Sequence, residues 1–259
     1  MKERPTKALL LAGKGGCGKT TLALMLSLTW EKKGLRIGLL DANLSSPELP
    51  FLLGLPPVGI GGLKGDLMPI NVTPNLRVLS IGLFLEAPHT PVAWRGPIKH
   101  AVLKQMLEKT NWGELDLLVI DLPPGLGEEH FSLVGLLPED LTYALLVSEP
   151  SRLSLIETKR LELFLKKTKA RITGFVFNKV KGDSVPRYQM LESPLLSVLP
   201  YDRKVARGSM RQGVLLSTEP GLNFRRSLKA LSTQLWELMG IEGKKPLTLQ
   251  AKVLLKGGH

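Results

Sequence analysis

Gly13-Lys14-Gly15-Gly16-Cys17-Gly18-Lys19-Thr20-Thr21 follows directly on the apolar run Ala8-Leu9-Leu10-Leu11-Ala12. Two patterns overlap in it. Gly13, Gly15 and Gly18 fit G-x-G-x-x-G, and Asp41 closes the second apolar run, where a dinucleotide fold carries its ribose-binding acid. Gly13, Gly18, Lys19 and Thr20 fit G-x-x-x-x-G-K-[ST]. Short glycine patterns recur by chance, whereas the second pattern adds the lysine and hydroxyl that phosphate chemistry needs. Backbone N–H groups from Gly13 to Thr21 would form a nest for phosphate oxygens at the positive end of the following helix. Lys19 would neutralise β- and γ-phosphate charge, and the Thr20 hydroxyl would ligate Mg²⁺.

A metal's water shell also calls for a carboxylate at the end of a buried strand. Leu117-Leu118-Val119-Ile120-Asp121 supplies it and runs into Leu122-Pro123-Pro124-Gly125, a turn that brings N–H groups near a γ-phosphate. These two features favour a nucleoside triphosphate over a dinucleotide. Strands are expected at residues 8–12, 36–40, 77–81, 117–120, 142–147, 172–177 and 195–199. Most are continuous in Leu, Ile, Val and Phe, as strands buried on both faces are. Helices are expected at 20–33, 98–109, 153–167 and 223–239. This alternation predicts the α/β class, an open, mostly parallel twisted sheet with helices on both faces and its ligand at the carboxyl ends of the strands. Residues 45–75, rich in Pro and Gly, read as a functional excursion rather than a linker. No repeat or composition break divides the chain, which is expected to be one domain over 1–240 with a short basic tail at 241–259.

The 259 residues carry 35 Lys+Arg against 23 Asp+Glu, a net charge of +12, with 43% hydrophobic and 22% charged residues. That balance excludes whole-chain disorder, and no apolar run approaches the roughly 20 residues of a membrane span. The run after Met1 is too short for a signal-peptide core and reads as a strand. The single cysteine, Cys17, excludes an intramolecular disulfide and any cluster or zinc site built from one chain's own thiolates. A cytoplasmic setting is expected.

Lys14-Gly15-Gly16-Cys17-Gly18-Lys19-Thr20 resembles the deviant phosphate loop of the MinD/ParA/Mrp group of ATPases, a SIMIBI-type P-loop NTPase class. Further segments resemble the Mrp-type iron–sulfur cluster carrier ATPases: Gly38-Leu39-Leu40-Asp41-Ala42-Asn43 with Pro47, Pro50-Phe51-Leu52-Leu53-Gly54-Leu55, Leu79-Ser80-Ile81-Gly82, Trp94-Arg95-Gly96-Pro97, and above all the run Trp112–Gly125. The resemblance extends over roughly residues 6–220. It implies ATP and Mg²⁺ as ligands and a homodimer formed through the ATP face, with Lys14 crossing to the partner's nucleotide. It implies Lys19 as the lysine acting in cis, Thr20 on Mg²⁺, and Asp41 and Asp121 in the metal's water shell. Asn178 is implied to contact adenine, with Pro200 and Asp202 in a second base-contacting loop.

The chain also departs from that family. Mrp-type carriers hold a bridging cluster with a C-x-x-C pair after the adenine-contacting Asn, and none occurs between Asn178 and Leu199; the chain is expected not to hold a cluster itself. The family's D-x-D reads Asp41-Ala42-Asn43. An amide at Asn43 orients a water but cannot accept its proton, so slow hydrolysis is expected. After Pro124 stands Gly125-Leu126-Gly127-Glu128, where the family has Thr and Asp. The resemblance implies a protein partner in metallocofactor assembly. The alternative is a ParA/MinD-like switch. Residues 151–190 carry +7, which raises non-specific DNA as a partner. The tail lacks the amphipathic stripe of a membrane helix, so no membrane is expected.

Overall fold

The computed structural model describes residues 7–57, 67–87, 89–90, 92–182 and 188–241. The expected tail therefore lies outside the described residues from 242 on, as do 183–187 and 58–66. The chain runs β1 Ala8–Gly13, α1 Lys19–Glu31, β2 Ile37–Asp41, α2 Leu49–Leu53, β3 Ile70–Thr73, β4 Leu76–Ser80, α3 Gly96–Glu108, β5 Leu117–Asp121 and α4 Glu128–Leu136. It continues with β6 Thr142–Ser148, α5 Arg152–Leu165, β7 Arg171–Val180, β8 Leu195–Pro200, α6 Arg203–Ser209 and α7 Leu222–Leu238.

The strands form one eight-stranded sheet in the order β3-β4-β2-β5-β1-β6-β7-β8. Every pairing is parallel except β3 with β4. Successive side chains of a strand face opposite ways, and the core divides accordingly. Leu9, Leu11, Leu39 and Val119 pack with Leu22 and Trp30 of α1 and Leu231 of α7. Leu10, Leu40 and Ile120 pack on the other face with Leu103 of α3, Leu133 of α4 and Leu161 of α5. Both faces are covered, which is why the central strands carry almost no polar residues until their last position.

β1 has β5 on one side and β6 on the other. The chain winds from β1 to one half of the sheet and then returns to build the other. The crevice at this reversal, outside the carboxyl ends, is where such sheets bind ligands. Gly13, Asp41, Asp121 and Ser148 end β1, β2, β5 and β6 there.

The seven expected strands are present, several shifted by one to three residues. Four elements were not anticipated: β3, α2, α4 and α6. β3 is a four-residue, half-exposed edge strand with a bulge. It and α2 lie within the excursion at 45–75. α4 opens on Glu128-Glu129-His130 and contains Gly135, which hides its apolar face. α6 is seven residues long and capped by Asp202, whose Oδ1 accepts from Lys204 N–H at 2.8 Å and Val205 N–H at 3.0 Å.

Candidate functional site

Gly13 ends β1 where no side chain fits, since a β-carbon there would lie 2.2 Å from the Val147 carbonyl oxygen. The chain then turns through Gly16 at φ 81° and Gly18 at φ 88°, a backbone that favours glycine. Gly18 caps α1 without a side-chain bond, and the first turn holds no acidic residue. The positive end of α1 is thus left for an anion. Inside the loop the Lys14 carbonyl accepts from the Lys19 Nζ and from the Cys17 N–H, each at 3.3 Å. Lys19 is buried, while the half-buried Lys14 ammonium makes no hydrogen bond or ion pair among the described residues.

Beside the loop stand the two strand-end acids. Asp41 and Asp121 are register partners on β2 and β5, both fully buried. Asp41 accepts from the Asn43 N–H at 3.1 Å, the Leu49 N–H at 3.3 Å and the Ser80 hydroxyl at 2.9 Å. Asp121 Oδ2 accepts from the Thr20 hydroxyl at 2.6 Å, while its Oδ1 is buried without a partner. Burial pushes both carboxyls above the usual range, and the charge of Asp41 raises Asp121 further. Asn43 turns its amide away to donate to the Ser46 carbonyl at 2.8 Å.

The donor set fits Mg²⁺. It is all oxygen, two carboxylates and a hydroxyl, at the mouth of an anion nest, and one carboxylate oxygen lacks a partner. Hard divalent cations take such ligands. Thr20, Asp121 and Asp41 would hold the ion and its waters.

On the other side of the loop a cleft is lined by Gly18, Thr21, Asn178, Pro200, Tyr201 and Asp202, among others. The structure therefore brings the three residues expected at the base together with the loop. Two of them are already engaged. The Asn178 amide donates to the Cys17 carbonyl at 2.8 Å and accepts from the Lys179 N–H at 3.0 Å. Asp202 caps α6, and its Oδ2 accepts from the Gly221 N–H at 2.6 Å.

Cys17 is fully buried, and burial pushes its thiol up to about 11. Burial keeps it a protonated thiol packed under the loop. The stretch after Asn178 is held by acid–base contacts instead of thiolates. Glu162 of α5, with no exposed surface, accepts from the Ser193 N–H at 2.6 Å and the Glu192 N–H at 3.0 Å. Lys159 bonds both Glu162 and Glu192.

Sequence reasoning missed four residues around the loop: Ser80, Glu149, His130 and Lys179. His130 is buried, accepts from the Gly127 N–H at 3.2 Å, and is driven down to about 4 by burial, so it is neutral.

Residues 5–217 match the family model ParA: NUBPL iron-transfer P-loop NTPase. A relative from Culex quinquefasciatus, named cytosolic Fe-S cluster assembly factor NUBP2 homolog, is 36% identical, covering 76% of this chain and 84% of its own. The Xenopus laevis cytosolic Fe-S cluster assembly factor nubp2 is 34% identical, covering 82% of this chain and 84% of its own. Among solved structures, the septum site-determining protein MinD with Mg-ADP from Pyrococcus horikoshii has the same fold, with a TM-score of 0.68 at 22% identity over 92% of this chain and 99% of that one. The phosphate loop, the paired strand-end acids and these matches make the chain a member of the ParA/NUBPL family of iron-transfer P-loop NTPases.

Proposed function

We propose that the chain is an ATP-binding, slowly hydrolysing switch in cytosolic iron–sulfur cluster assembly, acting as a dimer and not holding a cluster through its own residues. One observation carries the nucleotide part. An uncapped helix end, a buried lysine and an oxygen set with an unpartnered carboxylate oxygen converge at the carboxyl ends of β1, β2 and β5. Mg²⁺, when bound, would screen the charge of the β- and γ-phosphates. Lys19 would exchange the Lys14 carbonyl for phosphate oxygens, and Thr20 and Asp121 would orient the waters between protein and nucleotide. Asn43 would hold the attacking water without taking its proton, which keeps turnover slow. A partner's Lys14, without a bond in one chain, would complete charge neutralisation across the dimer.

The assembly part is supported by the relatives' names and by the family. The one thiol is buried beneath the phosphate loop, so cluster ligands would have to come from a protein partner. The alternative of an ATP-dependent grip on DNA loses charge to acids remote in sequence. Six of the nine described cations of residues 151–190 are paired: Glu157 and Glu162 lie within the window and are already in its count, while Glu139, Asp140, Glu149 and Glu192 come from outside it. Among the described residues no helix is long and apolar enough to cross a membrane.

The test is equilibrium binding of ATP and ADP with and without Mg²⁺, followed by co-purification with a non-hydrolysable ATP analogue. Mg²⁺-dependent binding and recovery of a cysteine-rich assembly protein are expected. Absence of nucleotide binding would end the reading, and ATP-dependent, salt-sensitive retention of duplex DNA would favour the alternative.

A further inference from the structure

Lys179 is the only non-glycine residue with positive φ among the described residues, at 59°. A lysine gains nothing from this conformation by itself, so the surroundings impose it. Asn178 accepts the Lys179 N–H, and the Lys179 ammonium reaches back over the phosphate loop to the Gly16 carbonyl while pairing with Glu149 at 3.1 Å. Asn178 binds the next carbonyl of the loop, that of Cys17. Two consecutive carbonyls are therefore gripped from the β7 side. A trans peptide points its N–H opposite to its C=O, so this grip turns the Cys17 and Gly18 N–H groups inward. The Cys17 N–H bonds the Lys14 carbonyl, the same oxygen that the Lys19 ammonium reaches. The approach is close: a β-carbon on Gly18 would lie 2.6 Å from the Asn178 amide and 3.5 Å from Lys179 Cε.

We infer that Lys179 is a positioning residue of the nucleotide site, holding the Gly16–Cys17 peptide with its N–H facing the space that nucleotide phosphates take. The inference rests on the nucleotide reading above. The side chain acts through the loop and not as a free charge, because Glu149 neutralises it. The left-handed backbone is the conformational cost of aiming it there.

Lys179→Gly separates positioning from folding, since glycine accepts φ 59° without strain. Calorimetric titration with ADP and thermal melting of the ligand-free protein are read on wild type, Lys179→Gly, Lys179→Met and Lys179→Arg. The expected result is about tenfold weaker ADP binding for the Gly and Met variants, the loss of one charge-assisted bond. Arg should recover most of it, and the ligand-free Lys179→Gly should melt no lower than wild type. The deficit should be the same at low and high ionic strength. Wild-type affinity in Lys179→Gly overturns the inference, as does an affinity loss that tracks a lower melting temperature, lack of rescue by Arg, or a deficit that salt abolishes. If wild type itself fails to bind ADP, the nucleotide reading falls, and this inference falls with it before any variant is compared.

Discussion

Asp121→Asn should stabilise the ligand-free protein while damaging its metal site. Asp41 and Asp121 are register partners on adjacent strands, both buried, with no cation hydrogen-bonded to either among the described residues. Strands lie about 4.8 Å apart. Two unit charges at about 5 Å and an effective dielectric of about 20 repel by about 3 kcal/mol. Asparagine keeps the volume and can still accept from the Thr20 hydroxyl, so the change removes the repulsion from Asp41 together with a weaker attraction to Lys19. Burial raises both carboxyls, so the folded chain holds protons that the unfolded chain releases. Wild-type stability therefore falls as pH rises from the ordinary carboxylate range near 3.8 through neutrality. The variant should melt on the order of 5–10 °C higher at pH ~8, and the gap should close as pH falls to about 4, where both proteins are neutral at these positions. The same variant should lose most of the Mg²⁺ dependence of its ATP affinity. Scanning calorimetry across pH, without nucleotide, is the assay. Equal or lower melting at pH ~8, or a gap that persists in acid, would refute the argument from charge repulsion.

Three further outcomes follow from the same geometry. Lys14→Ala should bind ATP within about threefold of wild type, because its ammonium makes no bond among the described residues; sedimentation should show that its ATP-dependent dimer is lost, and an unchanged dimer with unchanged turnover would remove the trans role. Asn43→Asp should accelerate single-turnover hydrolysis by supplying a proton acceptor, at about 1 kcal/mol of stability for the bond donated to Ser46; no acceleration would mean the missing carboxylate is not limiting. Glu162→Ala should cost about 3–5 kcal/mol in urea denaturation, since it leaves Lys159 and the Ser193 and Glu192 N–H groups without their buried acceptor; a cost below about 1 kcal/mol would show that water replaces it.

The phosphate loop, its strand and the two strand-end acids were legible because their constraints are local. A strand buried on both faces must be apolar, and its first acid marks the sheet's edge. β3 was not legible, since four residues at an edge, half exposed and bulged, carry no period. Asp202 did carry a signal: an Asp ahead of Arg203–Ser209 is a helix cap, and the structure spends its carboxylate on backbone N–H groups. Lys179 left no trace at all, because a left-handed backbone is imposed by Asn178 and by a loop some 160 positions earlier in the chain. The +7 of residues 151–190 overstates the unpaired charge for the same reason, as Glu139, Asp140, Glu149 and Glu192 reach it from outside that window.

Asp41 is held in part by the Leu49 N–H at the start of α2, and α2 has its own anchor. It ends at Gly54, where a β-carbon would lie 2.9 Å from Gly213 Cα, and the Gly213 N–H donates to the Phe51 carbonyl at 3.1 Å. Gly213 follows α6, whose Val205, Ala206 and Ser209 wall the base cleft. Two backbones in such contact leave no room for a side chain between them, so α2 is braced against the segment that follows α6. On the nucleotide reading, a shift of α2 that freed Asp41 for a metal ion would press on the segment next to the cleft lined by Val205, Ala206 and Ser209. The cleft beside the loop and the carboxylate end of the site would then be linked through a pair of residues with no side chains.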